Sequence, residues 1–362
     1  MSTDKHHDRA WVEIDLDNLV ANANAVGRAA SSALLPMVKA DGYGLGALPI
    51  VAALASVAPW GFGVATIEEG LELAAHGVQL PIIVFTPALA EQLPRLRDHE
   101  LRPVLDHPAV IQQWDANLPY HCEIDTGMGR AGIRWDDTEA LAVVAGHPPE
   151  GVFTHFHSAD FSPASMDEQL RRFEAALSRL PQRPAVVHVA NSAGALRAPG
   201  EFDLARPGIF LFGGVAAADL EPPRPVVTVR ARVVGTRVLE TGESVSYGAE
   251  WSAPRRTVVG TVSLGYADGV PRAVQNRASV LVAGRRYPVV GRITMDMMMI
   301  DLGPSEQATV QLGDIVTLIG EDAGDAITID EFADWAGTIS YEILTGLGGR
   351  LRRVYRRTWT QA

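Results

Sequence analysis

A lysine at the end of an apolar run gives this sequence its first chemical signal. The run LLPMVK ends in Lys39 and is followed by Ala40-Asp41-Gly42-Tyr43-Gly44. Partial desolvation there disfavours the ammonium form and makes the amine a candidate for Schiff-base chemistry. The plainer alternative is a lysine whose stem lies on the surface with its head in water. Three further stretches carry reactive groups at the ends of apolar runs. Glu123-Ile124-Asp125-Thr126-Gly127-Met128-Gly129-Arg130 ends in a fork-shaped donor, His155-Phe156-His157 follows another run, and His188 closes a third with Asn191-Ser192 beyond it. Arg206-Pro207-Gly208 adds a second arginine. Ser192 with Gly208 and Ile209 has the composition of a phosphate cradle, a small hydroxyl beside backbone N–H groups. An amine and a phosphate cradle on one face suggest pyridoxal 5′-phosphate (PLP); on these residues alone a sugar-phosphate aldolase stays open as an alternative.

Such groups need a scaffold that gathers them at one end. Eight apolar runs, at 33–38, 61–65, 81–85, 102–105, 120–124, 151–156, 185–189 and 208–212, alternate with amphipathic stretches such as 67–76, 88–99 and 165–180. Continuous apolar strands alternating with helices imply an α/β fold, a (β/α)8 TIM-type barrel, whose functional residues collect at the C-terminal ends of the strands. A doubly wound open sheet is the alternative; no G-x-G-x-x-G follows an early strand, and eight is the closing number. After Glu221-Pro222-Pro223-Arg224-Pro225 the pattern changes to closely spaced β-branched runs at 226–234, 257–264, 279–283, 297–302 and 314–319, with one helix at 330–337 capped by Asp330. The expected organisation is a barrel over 1–222 followed by a mostly β domain over 223–362.

Composition narrows the function classes. The 362 residues carry 31 Lys and Arg against 43 Asp and Glu, for a net charge of −12. An acidic chain repels phosphate backbones, which argues against nucleic acid as the main partner. A single cysteine, Cys122, excludes an internal disulfide framework and a multi-cysteine zinc site. It sits in an apolar strand, as an inert buried thiol does. The N-terminal stretch is charged where a signal peptide is apolar, and the uncharged stretch 42–67 is broken by glycines and prolines, so no membrane span is expected and the location expected is cytoplasmic.

Eight motifs in order along the chain resemble those of alanine racemases: VKADGYGLG, IDTGMGRAG, HVANSAG, ARPGIFLFG, VSYGAEW, LGYADG, GRITMDMMMID and TISYEILT. The resemblance implies a PLP barrel with a β domain, assembled as a head-to-tail homodimer whose active sites draw on both subunits. It implies interconversion of L- and D-alanine, supplying D-alanine for peptidoglycan, with a broader amino-acid racemase acting on serine or larger side chains as the runner-up. Residue by residue, it implies that Lys39 binds PLP covalently and that Tyr43, Ser192, Gly208, Ile209 and Tyr341 hold the phosphate, with Asn191 among the cofactor contacts. Arg206 would face the pyridine nitrogen, Arg130 the phenolic oxygen, and His155 the catalytic tyrosine. From the partner subunit, Tyr247 would be the second base, Tyr266 would line the entrance, and Met295 and Asp296 would shape the substrate pocket beside Arg130.

The chemistry suits those roles. Racemisation removes a proton from one face and returns one to the other, so it needs two groups. A tyrosine has a reference pKa of about 10 and needs cationic or imidazole neighbours to act as a base. Two positions depart from the family's pattern. Glu123 stands where a carbamylated lysine is frequent, and reads as a permanent anion bracing Arg130; a carboxylate that touches nothing is the alternative. Leu45 stands where a histidine is frequent.

Other readings compete. His155 and His157, spaced i, i+2 with Asp160 and His188 nearby, suggest a zinc hydrolase barrel, which leaves Lys39 and Tyr247 unexplained; the expectation is no metal. A non-catalytic PLP carrier would lack the second domain. Residues 295–299 read as β-domain core, and 350–357 as a solvated edge or interface strand.

Overall fold

The structure, a computed structural model, describes residues 8–197 and 202–357. Contacts divide the chain into two units, Leu19–Arg224, and the residues before 19 together with those from Pro225 onward. The chain opens with strand β1 (Ala10–Asp15), which lies within the span the sequence reading gives to the barrel. It pairs instead within the second unit, because its row of buried side chains finds antiparallel partners there.

The first unit is a closed parallel barrel. Its strands are β2 (Ala33–Leu34), β3 (Phe62–Val64), β4 (Ile82–Val84), β5 (Arg102–Pro103), β6 (His121–Asp125), β7 (Gly151–Phe153), β8 (Val186–His188) and β9 (Leu204–Ala205). Parallel ladders join β3 to β4 and β5, β6 to β7 and β8, and β8 to β9 and β2. Single parallel bridges, Met37 to Gly63 and Val104 to His121, close the two gaps. A short strand, Ile133–Arg134, lies parallel beside β6. The interior is filled by Leu35, Ile83, Val104, Phe153, Val186 and Leu204, one cluster drawn from strands around the ring.

Helices cover the outside. Helix Ile67–Ala75 starts at a reciprocal cap in which the Glu69 N–H donates to Thr66 and the Glu69 carboxylate accepts from the Thr66 N–H. Helix Pro163–Leu177 buries Met166, Gln169, Phe173 and Ala176, spaced on one face. The eighth barrel strand differs from the reading. Residues 208–212 form a buried 3-10 turn, Ile209–Phe212, and the strand is β9, two residues long and just upstream. A short buried apolar run does not by itself distinguish strand from helix. Here Gly213, at φ 92°, ends the turn in the left-handed region that favours glycine.

The second unit is a β structure. Strands β10 (Val227–Leu239), β11 (Thr257–Val262), β12 (Ser279–Val282), β13 (Arg285–Val290), β14 (Met298–Gly303) and β15 (Ile315–Asp322) form a closed antiparallel ring in the order β10-β11-β14-β13-β12-β15. Strand β16 (Asp325–Ile327) forms a hairpin with β15, and β17 (Arg352–Arg356) pairs with β1 in parallel at the sheet edge. Along β10 buried and partly exposed residues alternate through Val233, the pattern of a strand with one packed face. The helix expected at 330–337 runs Ile329–Ala336, but its cap is Thr328, whose hydroxyl accepts from the Glu331 N–H at 3.0 Å. Asp330 instead accepts from the Ser340 hydroxyl. A second helix, Ser340–Thr345, and strand β13, which contains a proline, are additions to the sequence reading. Residues 295–299 are not uniformly core: Met298 and Met299 are buried, while Met295 and Met297 are exposed.

Candidate active site

Lys39 begins a turn that few L-residues adopt. After a bridge at Met37, Ala40, Asp41, Gly42 and Tyr43 all take left-handed helical angles, with φ between 53° and 61°. Each non-glycine residue there costs about 1–2 kcal/mol, so the turn needs outside support. Glu69 supplies it, accepting from the Ala40 N–H at 2.6 Å through one carboxylate oxygen and from the Ala65 N–H at 2.7 Å through the other. Asp41 accepts from the Ala47 N–H at 2.7 Å. Burial is the main force that lowers the Lys39 amine's pKa; Arg130 adds to the effect and Glu69 opposes it.

Beside this turn lies a cradle built around one glycine. The Gly208 N–H donates to the Ser192 hydroxyl at 2.9 Å, and a β-carbon on Gly208 would stand 2.2 Å from the Tyr43 hydroxyl. Tyr43 is buried and stacks on Phe212 with ring centroids 4.4 Å apart. Ile209 opens the 3-10 turn, where the first N–H groups lack intrahelical acceptors. A serine hydroxyl, a tyrosine hydroxyl and opening amides around a position that only glycine fits suit a phosphate group. Asn191 has a structural task there: its carbonyl oxygen accepts from the Gly194 N–H at 2.9 Å, at the start of helix Ser192–Arg197.

Arg130 lies at the exposed tip of a glycine loop. Asp125 gathers that loop by accepting from the Gly127 and Gly129 N–H groups at 2.9 and 3.1 Å. Glu123, in β6, is buried, and a β-carbon on Gly132 would come 3.0 Å from its Cγ. Two parts of the sequence reading are corrected here. No hydrogen bond or ion pair joins Glu123 to Arg130 among the described residues, because the loop carries Arg130 outward while Glu123 stays within the strand. Nor is Glu123 a permanent anion. Burial pushes its carboxyl up to about 7, against the pull of Arg130 and Arg206 and with the push of Asp106 and Asp125. Activity is therefore expected to rise between about pH 6 and 8 as Glu123 ionises and strengthens the field holding Arg130. In Glu123→Gln that limb of the pH–kcat profile disappears and turnover falls about tenfold, on the scale of one lost charged interaction. Bicarbonate leaves both proteins unchanged. A Gln variant with the same profile and turnover would assign the position to packing.

Arg206 is buried where β9 ends. It donates through NH1 to His188 Nδ1 at 2.8 Å, and through NH2 to the Thr154 carbonyl at 2.8 Å and the Val189 carbonyl at 3.2 Å. Its Nε–H has no hydrogen-bond partner among the described residues. Burial lowers Arg206 to about 10, so it remains cationic at neutral pH. His155 Nδ1 lies 3.4 Å from NH2. Burial, then Arg206, Arg130 and Lys39, lower His155 to about 3, so these four groups lie within one another's fields. The hydrolase reading loses its ligands: His188 is turned to Arg206, His157 to Ser158 at 2.5 Å, and no group of three His, Cys, Asp or Glu among the described residues could hold a metal. Cys122 is fully buried, and burial raises its thiol well above the usual range.

In the β unit, Tyr247 begins a 3-10 turn, Tyr247–Ala249, that follows the short strand Ser244–Val245. Ser246, at φ 69°, donates to the Arg292 carbonyl at 2.6 Å, and Arg292 pairs with Glu250. Tyr266 and Met295 are neighbours: the Tyr266 N–H donates to the Thr294 carbonyl and the Ala267 N–H to the Met295 carbonyl, both at 3.0 Å. Arg350 joins Asp296 at 2.8 Å to the buried Asp268 at 3.0 Å. Tyr341 lies on helix Ser340–Thr345. Tyr247 is 72% exposed, and Tyr266, Met295, Met297, Ile339 and Tyr341 are exposed as well.

Glu69, His121 and Glu150 went unnoticed in the sequence. Glu69 had a visible signal, the Thr66-x-x-Glu69 capping pattern. His121 shares a strand face with Glu123 by the two-residue period.

A parallel barrel with a desolvated lysine beside a phosphate cradle, joined to a β unit, defines a barrel enzyme of the PLP-dependent class. The family model for the alanine racemase N-terminal domain matches residues 14–216, and that for the C-terminal domain matches 226–355. An alanine racemase from Deinococcus radiodurans is 41% identical, covering 95% of this chain and 98% of that one. One from Symbiobacterium thermophilum is 40% identical, covering 95% and 96%. The crystal structure of alanine racemase from Bartonella henselae with covalently bound pyridoxal phosphate superposes with a TM-score of 0.87 at 30% identity, covering 96% of this chain and 100% of that one. The chain belongs to the alanine racemase family, and is a PLP-dependent enzyme that interconverts L- and D-alanine.

Proposed function

We propose that Lys39 and Tyr247 are the two bases of the racemisation, that each active site combines Lys39 of one subunit with Tyr247 of another in a head-to-tail homodimer, and that the enzyme works in the cytoplasm to supply D-alanine for peptidoglycan. The observation that carries the reading is the Lys39 amine, desolvated at a barrel rim that also holds the Gly208 cradle. Ser192, Tyr43, Gly208 and Ile209 would hold the PLP phosphate, with Tyr341 as a further hydroxyl. Arg206 would meet the ring nitrogen through its unpartnered Nε–H and Arg130 the phenolic oxygen. Asn191 contributes by capping the cradle's helix. PLP held there would supply an electron sink for the α-carbon.

Lys39 Nζ, with its ammonium form disfavoured, takes or returns the α-proton on one face. The Tyr247 hydroxyl does the same on the other. Arg206 cannot readily give up a proton, so it keeps a hydrogen-bond donor toward the ring nitrogen. His155, held neutral with Nδ1 toward Arg206, carries its proton on Nε2 and can donate it to the Tyr247 oxygen, which stabilises the deprotonated form. Tyr266, Met295 and Asp296 would bound the substrate pocket with Arg130. What supports the two-subunit arrangement is the exposure of Tyr247, and of Tyr266, Met295 and Met297 in the same unit. Among the described residues no helix is long and apolar enough to cross a membrane.

Mixing Lys39→Ala with Tyr247→Phe subunits tests the arrangement. Random exchange leaves about a quarter of all sites with both groups intact, so about a quarter of wild-type activity is expected from two inactive parents. No recovery after verified exchange would assign both bases to one chain.

A further inference from the structure

Two histidines fill the barrel's centre, and the proposed reaction uses neither. His121 and His188 are completely buried, with His121 Nδ1 2.9 Å from His188 Nε2. At the rim, Arg206 NH1 reaches His188 Nδ1 at 2.8 Å. At the opposite end, His121 Nε2 lies 3.4 Å from Glu150 Oε2, within ion-pair range, and this buried nitrogen has no hydrogen-bond partner among the described residues. Glu150 just precedes β7, and Arg102 of β5 grips it, with Nε 2.7 Å from Oε2 and NH2 3.4 Å from Oε1. The backbone leaves room for this row. A β-carbon on Gly151 would stand 2.2 Å from His121 Nδ1, so glycine at 151 is what admits the ring. Trp60 meets His121 edge-on at 5.9 Å and lies under the Arg102 guanidinium at 5.6 Å.

Donor and acceptor chemistry fixes every proton in the row. A guanidinium has no acceptor, so His188 Nδ1 must offer its lone pair to Arg206. A neutral His188 then carries its proton on Nε2 and donates it to His121 Nδ1. That leaves the His121 proton on Nε2, facing Glu150. Both rings are neutral: burial lowers each, aided at His188 by Arg206, and outweighs the upward pull of Glu150 on His121. Glu150 stays ionised: burial raises its carboxyl, but His121 and Arg102 outweigh that and hold it at about 2. Turning either imidazole proton around sets two N–H groups head to head.

We propose that Glu150, His121 and His188 are positioning residues for Arg206: the guanidinium at the rim sets the proton order of both imidazoles, and the carboxylate at the closed end of the barrel faces the His121 Nε2–H that this order leaves pointing outward. The row holds the Arg206 guanidinium through NH1 and so fixes the plane in which its Nε–H faces the cofactor. This deepens the reading of Arg206 as a contact to the PLP ring and rests on it.

Ring 15N chemical shifts of histidine-labelled protein, cofactor-free and PLP-loaded, read the tautomers directly. His121 and His188 are expected as neutral Nε2–H forms in the wild type. In Glu150→Gln the amide oxygen can still face the His121 Nε2–H, so the proton order set at Arg206 holds while the His121 ring 15N signals shift as a charged neighbour is replaced by a neutral one. With that change kcat falls about tenfold, typical of an outer partner of an active-site group, while KM changes less than about twofold. Glu150→Asp, which keeps the charge, retains the wild-type tautomers and recovers most of kcat. A wild-type His188 protonated on Nδ1 overturns the proposal without any variant. So does a Glu150→Gln protein that loses activity and heat stability together while its His121 ring signals stay unchanged. If the tautomers come out as stated but Arg206→Lys alters neither kcat nor the bound cofactor's absorbance, the proton order is upheld and the reading of Arg206 as a cofactor contact is what fails.

Discussion

Alanine in place of Lys39 is expected to abolish racemisation and to remove the visible absorbance of the bound cofactor in the same step. Lys39 is the residue at the cradle's rim with an amine. The neighbouring candidates, Arg130 and Arg206, carry guanidiniums that do not form covalent links of this kind. The variant loses both the covalent link to PLP and one of the two bases, so a fall of at least about a thousandfold is expected from the acid–base role alone. The fold should survive: the Lys39 side chain makes no hydrogen bond to the described residues, while the left-handed turn behind it is held by Glu69 at Ala40 and by Asp41 at Ala47. Reduction with borohydride followed by peptide mapping checks the assignment. Label on another lysine would move the site.

Phenylalanine in place of Tyr247 removes one hydroxyl and little else. Tyr247 stands on a turn fixed by its neighbours, through Ser246 to the Arg292 carbonyl and through the Arg292–Glu250 pair, so the ring position should hold. PLP binding is expected to stay near wild type, since the cradle lies in the barrel unit. Loss of a positioned acid–base group costs about 10²–10⁴ in kcat. Steady-state rates in both directions, with cofactor content measured on the same samples, separate the two effects. Near wild-type turnover with full cofactor would remove Tyr247 from the mechanism.

Much of this was legible because a barrel buries its strands on both faces. Runs such as 33–38 and 81–85 contain no polar break, and their ends mark where function collects. The misreadings follow from the same property. Ile209–Phe212 is as apolar as any strand, yet it coils into a 3-10 turn, and the strand that closes the barrel, Leu204–Ala205, is too short to stand out. Strand Ala10–Asp15 belongs with residues more than two hundred positions away, a pairing set by register with Val227–Leu239 and by no local signal. At the site, Lys39, Ser192, Arg206 and Gly208 were readable from type and position. The charge state of Glu123 was not, because it depends on burial and on four neighbours from separate segments. Glu150 escaped notice for a related reason: in sequence it is one acid before a strand, and its partners, Arg102 and His121, come from two other strands.

The central claim is that two groups from opposite faces share the α-proton, and hydrogen exchange in the Tyr247→Phe enzyme tests it most directly. In D2O, with Lys39 intact, one enantiomer of alanine should exchange its α-proton for deuterium with retention of configuration, while the other exchanges at least about a hundredfold more slowly. Equal exchange of both enantiomers would mean that a single group serves both faces, and would contradict the account.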